Sequence, residues 1–297
     1  MQWSTVLEYL ILAASLGGIY ALMSIGYTII YGVLKLINIA HGDFFMLAGF
    51  LSLWAVQEWN LPMGLGYLIG ILITVIVGLL VERIAYRPLV EFRISAFTST
   101  IAVSMIIQAA AVILLSPRSK SFPRPAIFER VLHFGDISVS VATPFIIAAC
   151  VILFVLLMYL VNRTRMGMAM RALSEDRELV QLMGVPINKV VVFSFILSIG
   201  YAAAGAIVWG QRYPSFNPFV GAIVGLKGFI GAVIGGIGSI PGALLGGLIL
   251  GAAEIILVGL FPQLSNLRDI FAYVLMIGFL LFRPGGIFNV KIIEEKV

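Results

Sequence analysis

The sequence predicts an all-α, polytopic membrane protein with about 8–9 hydrophobic segments, some of them broken or re-entrant. Composition points there first: 61% of the 297 residues are hydrophobic and only 11% are charged, with a mean hydropathy of +1.09. A soluble domain carries about 25% charged residues to coat its surface, so this chain must present its outside to lipid. Segment length points there next, because the apolar runs reach the roughly 20 residues a helix needs to cross the hydrocarbon core. The alternating ten-residue segments of an outer-membrane barrel are absent.

Hydropathy places the spans near residues 7–33, 42–57, 64–82, 96–115, 142–161, 190–210, 219–236, 243–260 and 268–283. The second and seventh are short or glycine-broken. No long soluble insert interrupts them, so 1–297 reads as one transmembrane domain. The N-terminus lacks the basic region of a cleaved signal peptide, and the first span is expected to be retained as an anchor. The single Cys150 excludes an intramolecular disulfide.

Lys and Arg set the orientation. One side collects Lys35, Arg83, Arg87, Arg93, Arg163, Arg165, Arg171, Arg177, Lys189, Arg283, Lys291 and Lys296. The other collects Arg118, Lys120, Arg124, Arg130, Arg212 and Arg268. The richer side is expected in the cytoplasm with the C-terminus, which leaves the N-terminus outside. A net charge of +5 is explained by these loops and calls for no nucleic acid.

An echo at an offset of 200 pairs Gly42 with Gly242, Pro62 with Pro262, Gly78 with Gly278 and Arg83 with Arg283. It is a candidate internal repeat, although chance produces such matches in apolar chains. A transporter site commonly lies where repeats meet.

Polar residues inside apolar spans are the candidates for function. Asn38, His41 and Asp43 stand within INIAHGDFF, beside Gly42, where the first long span gives way to a short helix. Asp43 is placed to cap that helix, and Asn38 and His41 to satisfy exposed backbone groups. As metal ligands, His41 and Asp43 are too few.

Eleven of 31 glycines fall in 221–251. Four-residue spacings such as Gly221/Gly225, Gly231/Gly235, Gly238/Gly242/Gly246 and Gly247/Gly251 let helices approach closely. Tight packing is the plain reading. A broken helix lining a pathway is the other, because Gly235, Gly236, Gly238, Pro241 and Gly242 make a poor continuous helix. Lys227 and Glu254 flank this break and are expected to face the bundle interior, as an ion pair or otherwise.

The segment 162–189 is the long amphipathic piece. Arg171, Glu175 and Glu178 fall at i, i+4 and i+7, Ala172, Leu179 and Leu182 supply apolar faces, and Gly184 with Pro186 ends the helix. It is read as a solvated loop or as a docking helix. HExxH, CxxC and Walker A patterns are absent, so no enzyme chemistry and no bound cofactor is expected. A secondary transporter using Asp43, Lys227 and Glu254 as coupling charges is the rival reading.

LKLINIAHGDFFMLAGF, GLKGFIGAVIGGIGSIPGALLGG and LLFRPGGIFN, in this order along the chain, resemble the inner-membrane permeases of branched-chain amino acid ABC importers, and most closely the first of the two permease subunits. Glu178, Leu179 and Val180, followed after three residues by Gly184, are similar to the coupling loop of those permeases, with Leu179 and Val180 in place of two alanines. The resemblance implies a bacterial or archaeal cytoplasmic membrane protein that moves branched-chain amino acids, other amino acids, urea or short amides by alternating access. It implies a second permease (a sister chain or a second copy), two cytoplasmic ATPases that use the ATP, and a periplasmic or extracellular binding protein. Arg171, Glu175, Asp176, Arg177, Glu178 and Gly184 would meet the ATPase. Asn38, His41, Gly42 and Asp43 would lie close to the pathway. The outer loop 116–141, with Pro117, Pro123 and Pro125, is read either as a contact for the binding protein or as an exposed connector.

Overall fold

The computed structural model describes residues 3–90, 92–115, 117–134 and 137–288. Lys291 and Lys296 of the basic tail lie outside them. Among the described residues the chain forms helices α1 (Trp3–Leu34), α2 (His41–Gln57), α3 (Met63–Val81), α4 (Arg93–Leu115), α5 (Ala142–Arg163), α6 (Arg165–Glu175), α7 (Arg177–Leu182), α8 (Ile187–Arg212), α9 (Val220–Gly235), α10 (Ile240–Leu260) and α11 (Arg268–Phe282). Every span expected from hydropathy is a helix.

Seven helical segments are long and apolar enough to cross a membrane: Ser4–Leu34, Met63–Leu89, Ile94–Leu114, Ala142–Arg163, Ile187–Arg212, Ile240–Leu260 and Pro262–Phe282. Helix α2 has 17 residues and α9 has 16, short of the roughly 20 that a span needs. These two sit at the centre, mostly buried against α1, α3, α8 and α10. Irregular backbone at membrane depth is tolerated only where protein or a water-filled cavity surrounds it. Enclosure by longer helices provides that.

Helix α1 runs 32 residues, about 48 Å at 1.5 Å per residue. It stops where Lys35 takes the left-handed conformation, φ 53, and donates its N–H to the Tyr31 carbonyl at 2.8 Å. Beyond α3 the chain tightens through a π-helical turn, Glu82–Tyr86, and a 3-10 turn, Arg87–Leu89. Pro88 brings no N–H to the helical ladder there.

Glycine decides how closely the central helices approach. A Cβ on Gly42 would strike the Gly221 carbonyl, and one on Gly221 would strike the Gly42 carbonyl. On the far side, a Cβ on Gly17 of α1 would lie 2.8 Å from the Leu248 Cα. The four-residue glycine spacings therefore do act as packing faces. Gly238 is the exception, because it sits in a turn with φ 105 and not on a helix face.

Among the described residues, the two groups of basic residues separate to opposite ends. The end where α1 stops also gathers the ends of α3 and α5, the α6–α7 segment and the start of α8. The other end carries two small antiparallel pairs, β1 (Lys120–Ser121) with β4 (Ser215–Phe216), and β2 (Val131–Phe134) with β3 (Ile137–Ser140). Phe122 and Phe216 are buried there against Tyr67, Phe45 and Phe50, at ring-centroid distances of 5.6–6.1 Å. The Tyr67 hydroxyl donates to the Pro123 carbonyl at 2.6 Å. Within the stretch 116–141, Phe122 and Pro123 are pinned onto the helix ends by aromatic packing and the Tyr67 hydrogen bond.

Replacing Gly42 with alanine should lower stability by about 1–3 kcal/mol, the usual cost of overpacking. Gly200, around which nothing lies within 4 Å, should accept alanine with a gain of about 0.5–1 kcal/mol. Thermal melts of the two variants in detergent check the contrast.

Candidate functional site

The first polar cluster forms where the chain leaves α1 and re-enters the bundle as α2. The His41 ring rests on Gly26, and its Nδ1 lies 3.3 Å from the Ser198 hydroxyl, which donates to the Gly26 carbonyl at 2.8 Å. Gly26 is eight residues from the end of α1, about 12 Å at helical rise. The residues 36–40 therefore fold back into the bundle, and α2 begins well inside it. The Asn38 Oδ1 accepts from the Tyr86 hydroxyl at 3.0 Å, and the Ile39 N–H donates to the Thr100 hydroxyl at 3.3 Å. The Asp43 Oδ1 accepts from the Gln108 amide at 2.9 Å.

This arrangement corrects the expected capping roles. No side chain caps α2. Its first amides close on local carbonyls instead: His41 N–H on Asn38, and Asp43 and Phe44 N–H on Ala40, at 3.0–3.2 Å. Because the tight turn satisfies its own backbone, the Asn38, His41 and Asp43 side chains are released to reach the π-helical turn after α3, α8 and α4. Asp43 still complements the helix dipole from the first turn.

The second interruption joins α9 to α10. Helix α9 ends at Gly235, Gly236 and Gly238 take φ 103 and 105, and the Ser239 hydroxyl caps α10 by accepting from the Gly242 N–H at 3.2 Å. Pro241 falls in the first turn of α10, where its missing N–H is harmless. Gly235 packs directly on Gly242. Residues 287 and 288 return to this turn and donate to the Ile234 and Gly235 carbonyls at 2.9 and 3.2 Å.

Lys227 and Glu254 both face the interior and, of the readings left open, form the ion pair, Nζ to Oε1 at 2.7 Å, with both side chains buried. Lys227 does not snorkel. Two further members were not visible in sequence: Asp269 lies 2.8 Å from the Lys227 Nζ, and the Tyr20 hydroxyl donates to the Glu254 Oε2 at 3.0 Å. Four helices meet at these charges, which identifies the cluster as a structural clamp first.

The segment 162–189 departs from the expected single helix. Asp176 is extended, φ −148 and ψ 113, and splits it into α6 and α7, with its carboxylate capping the Glu178 and Leu179 amides at 2.9 and 3.0 Å. Glu178 therefore does not share a helix face with Arg171 and Glu175. Arg171 is tied down, donating to the Val161 carbonyl at the end of α5. The apolar faces are also reassigned: Met170, Leu173 and Val180 are buried, whereas Leu179, Leu182 and Met183 are exposed. Gly184, φ 75, ends α7 as a left-handed residue. Arg177 faces a cleft shared with Glu82, Tyr86, Arg87 and Asn188. Burial lowers the Lys35 pKa from its ordinary value, and the Glu175 carboxylate draws it back up.

Comparison with known proteins identifies this architecture. The family model described as "Branched-chain amino acid transport system / permease component" matches residues 9–280. The chain belongs to this family. The permease is 35% identical over 303 residues to the high-affinity branched-chain amino acid transport system permease protein BraD of Pseudomonas aeruginosa, covering 97% of each chain. It is 32% identical over 308 residues to LivH of Escherichia coli, covering 99% of each. Among solved structures, a chain of PsaBC from Streptococcus pneumoniae in complex with Fab has the same fold, with a TM-score of 0.52 at 13% identity over 96% of this chain and 94% of that one. The permease is thus a multi-pass transport subunit of an ABC transporter and works with other ABC subunits.

Sequence reasoning overlooked Tyr20, Tyr86, Ser104, Gln108, Ser198 and Asp269. One signal was present: Thr100, Ser104 and Gln108 recur every fourth residue in an apolar span, which places them on one helix face. Removing Lys227 should strand two carboxylates. Lys227→Met is expected to cost about 3–5 kcal/mol, and Lys227→Met with Glu254→Gln to recover part of it, as read from unfolding midpoints in detergent.

Proposed function

We propose that the permease is the inner-membrane subunit of a binding-protein-dependent ABC importer for branched-chain or related amino acids. The end bearing α6 and α7 faces the cytoplasm, and the N-terminus faces outside. The charge split supports this orientation, with the richer Lys/Arg side inward. The substrate class rests on the relatives, whose names specify branched-chain amino acid transport. The chain pairs with a second permease and receives substrate from an external binding protein. It holds no cofactor of its own, since ATP is used by two cytoplasmic ATPases.

The observation that carries this reading is the tip formed by α7. Leu182 and Met183 are each more than 80% exposed on a short helix that is capped at both ends, by Asp176 and Gly184. Exposed apolar side chains on a rigid polar segment mark a protein contact. The tip is also wired inward. Arg177 opens α7 and borders the cleft that contains the Glu82–Arg87 ion pair, 3.0 Å apart, and Tyr86, which holds Asn38. Docking and movement of α7 by an ATPase would pull on the break at 35–40 and on the helices around it. Arg171 joins the tip to the end of α5 through the Val161 carbonyl.

Reconstituted vesicles test the assignment. Uptake of leucine, isoleucine or valine should require ATP, the ATPases and the binding protein together. Uptake driven by a proton or sodium gradient alone would overturn the importer reading, and transport of urea or short amides in preference would change its substrate class. Leu182→Asp should abolish ATPase co-purification and lower uptake at least about tenfold, the loss expected when a hot-spot contact goes, while membrane insertion is unchanged. Gly184→Val should act the same way through backbone strain.

A further inference from the structure

Three carboxylates are buried in the bundle: Asp43, Glu82 and Glu254. Two of them have a cation at hand, since Arg87 lies 3.0 Å from Glu82 and Lys227 lies 2.7 Å from Glu254. Asp43 differs. Among the described residues its hydrogen-bond donors are the Gln108 amide and the Ser104 hydroxyl, both neutral. A buried carboxylate calls for a charge partner. The N-terminus of α2 supplies only about half an elementary charge, so a full compensating cation is missing.

The surroundings have the shape of a seam. Thr100, Ser104 and Gln108 line one face of α4, and all three turn to the break: Thr100 takes the Ile39 N–H, Gln108 binds Asp43, and Ser104 touches both Gln108 and the carboxyl. Helix α4 buries Val103, Ile107 and Ala111 against the bundle and leaves Ile94, Met105, Ile106, Ile113 and Leu114 exposed. Its hydrogen bonds at the seam are the polar part of its hold on α2. The same break carries a second unmet need, because the Asn38 Nδ2 is buried without a partner. An unpaired donor and an uncompensated anion five residues apart complement the two ends of a zwitterion.

We propose that Asp43, with Ser104 and Gln108, forms a station for the ammonium group of a zwitterionic substrate, reached when α4 draws away from α2. The proposal rests on the import reading above and sharpens it, because neutral amides and urea lack the group that Asp43 needs. The site is shallow in chemical demand: one carboxylate, with the Ser104 hydroxyl oxygen and the Gln108 carbonyl as neutral acceptors once the seam opens, enough to favour passage and too little to trap the cargo. Side-chain selectivity is left to other residues or to the binding protein.

The test uses the whole transporter with its partner subunits. Asp43→Asn should lower leucine uptake at least about tenfold, as loss of a buried charge contact does, and Asp43→Glu should retain part of it. The melting temperature of Asp43→Asn should equal or exceed that of the parent, because the variant removes an uncompensated buried charge. Uptake that falls only in proportion to the amount of folded complex would overturn the proposal, and so would unchanged uptake. A second measurement does not depend on the substrate. In a Cys150→Ala background, Ser104→Cys should react faster with methanethiosulfonate-ethylammonium than with the anionic ethylsulfonate reagent, and adding Asp43→Asn should remove the preference. No preference in the parent would overturn the station even where ATP-driven import holds. A clear preference in a transporter that fails to import amino acids would support the station and defeat the import reading instead.

Discussion

The structure depends on a contact made without side chains. Helices α2 and α9 meet where Gly42 lies against Gly221 and Gly225. In lipid, apolar side chains gain little by leaving one apolar surface for another, so helix association relies on close van der Waals approach and on polar contacts. Bare backbones at Gly42 and Gly221 permit that approach. Because α2 and α9 are too short to span, their ends must be enclosed, and this contact holds them inside the ring of longer helices. The interruption at 36–40 then falls within the bundle, and so do the polar residues it carries.

From that placement the roles of the buried polar groups diverge. Lys227 is shared by Glu254 and Asp269 and backed by Tyr20, a closed arrangement joining α1, α9, α10 and α11. Asn38, His41 and Asp43 instead reach three separate elements through neutral hydrogen-bond partners: the π-helical turn after α3, α8 and α4. The first arrangement resists movement, because separating its members would strand charges in a low-dielectric interior. The second exchanges neutral hydrogen bonds at smaller cost. A transporter that rocks around a fixed clamp needs both.

The α6–α7 tip is connected to this softer region through short steps. Arg177 at the start of α7 borders the Glu82–Arg87 pair, and Tyr86 in the same π-helical turn holds Asn38. Glu175 at the end of α6 acts electrostatically on Lys35, the residue that terminates α1. The α6–α7 segment therefore borders the break in two ways, through the side chains lining one cleft and through the charge of Glu175 near Lys35.

Much of this was legible in the chain. Hydropathy located the spans, and it marked the second and seventh as short because their apolar runs were cut by polar residues or glycine. Glycine spacing announced close packing, and lone charges in apolar runs announced Lys227 with Glu254. The amphipathic segment was legible as a docking element but not in its detail: only the extended backbone at Asp176 reveals that it is two helices, which turns Leu179 and Leu182 outward and leaves Arg171 tied to α5. Asp269 was not singled out, because it stands in the first turn of the last span, where charges are common.

By itself, then, the sequence determined the membrane environment, the helical segments and the presence of two interruptions, since length and apolar content are local properties that each segment carries alone. Tertiary structure decided which partners the polar residues have. Tyr20 reaches Glu254 across 234 residues and Asp43 reaches Gln108 across 65. No periodicity encodes such pairs, because they arise only when packed backbones fix the distance between helices. For INIAHGDFF the expected caps became hydrogen bonds between separate elements, and Asp43 emerged as the buried carboxylate without a cation among the described residues.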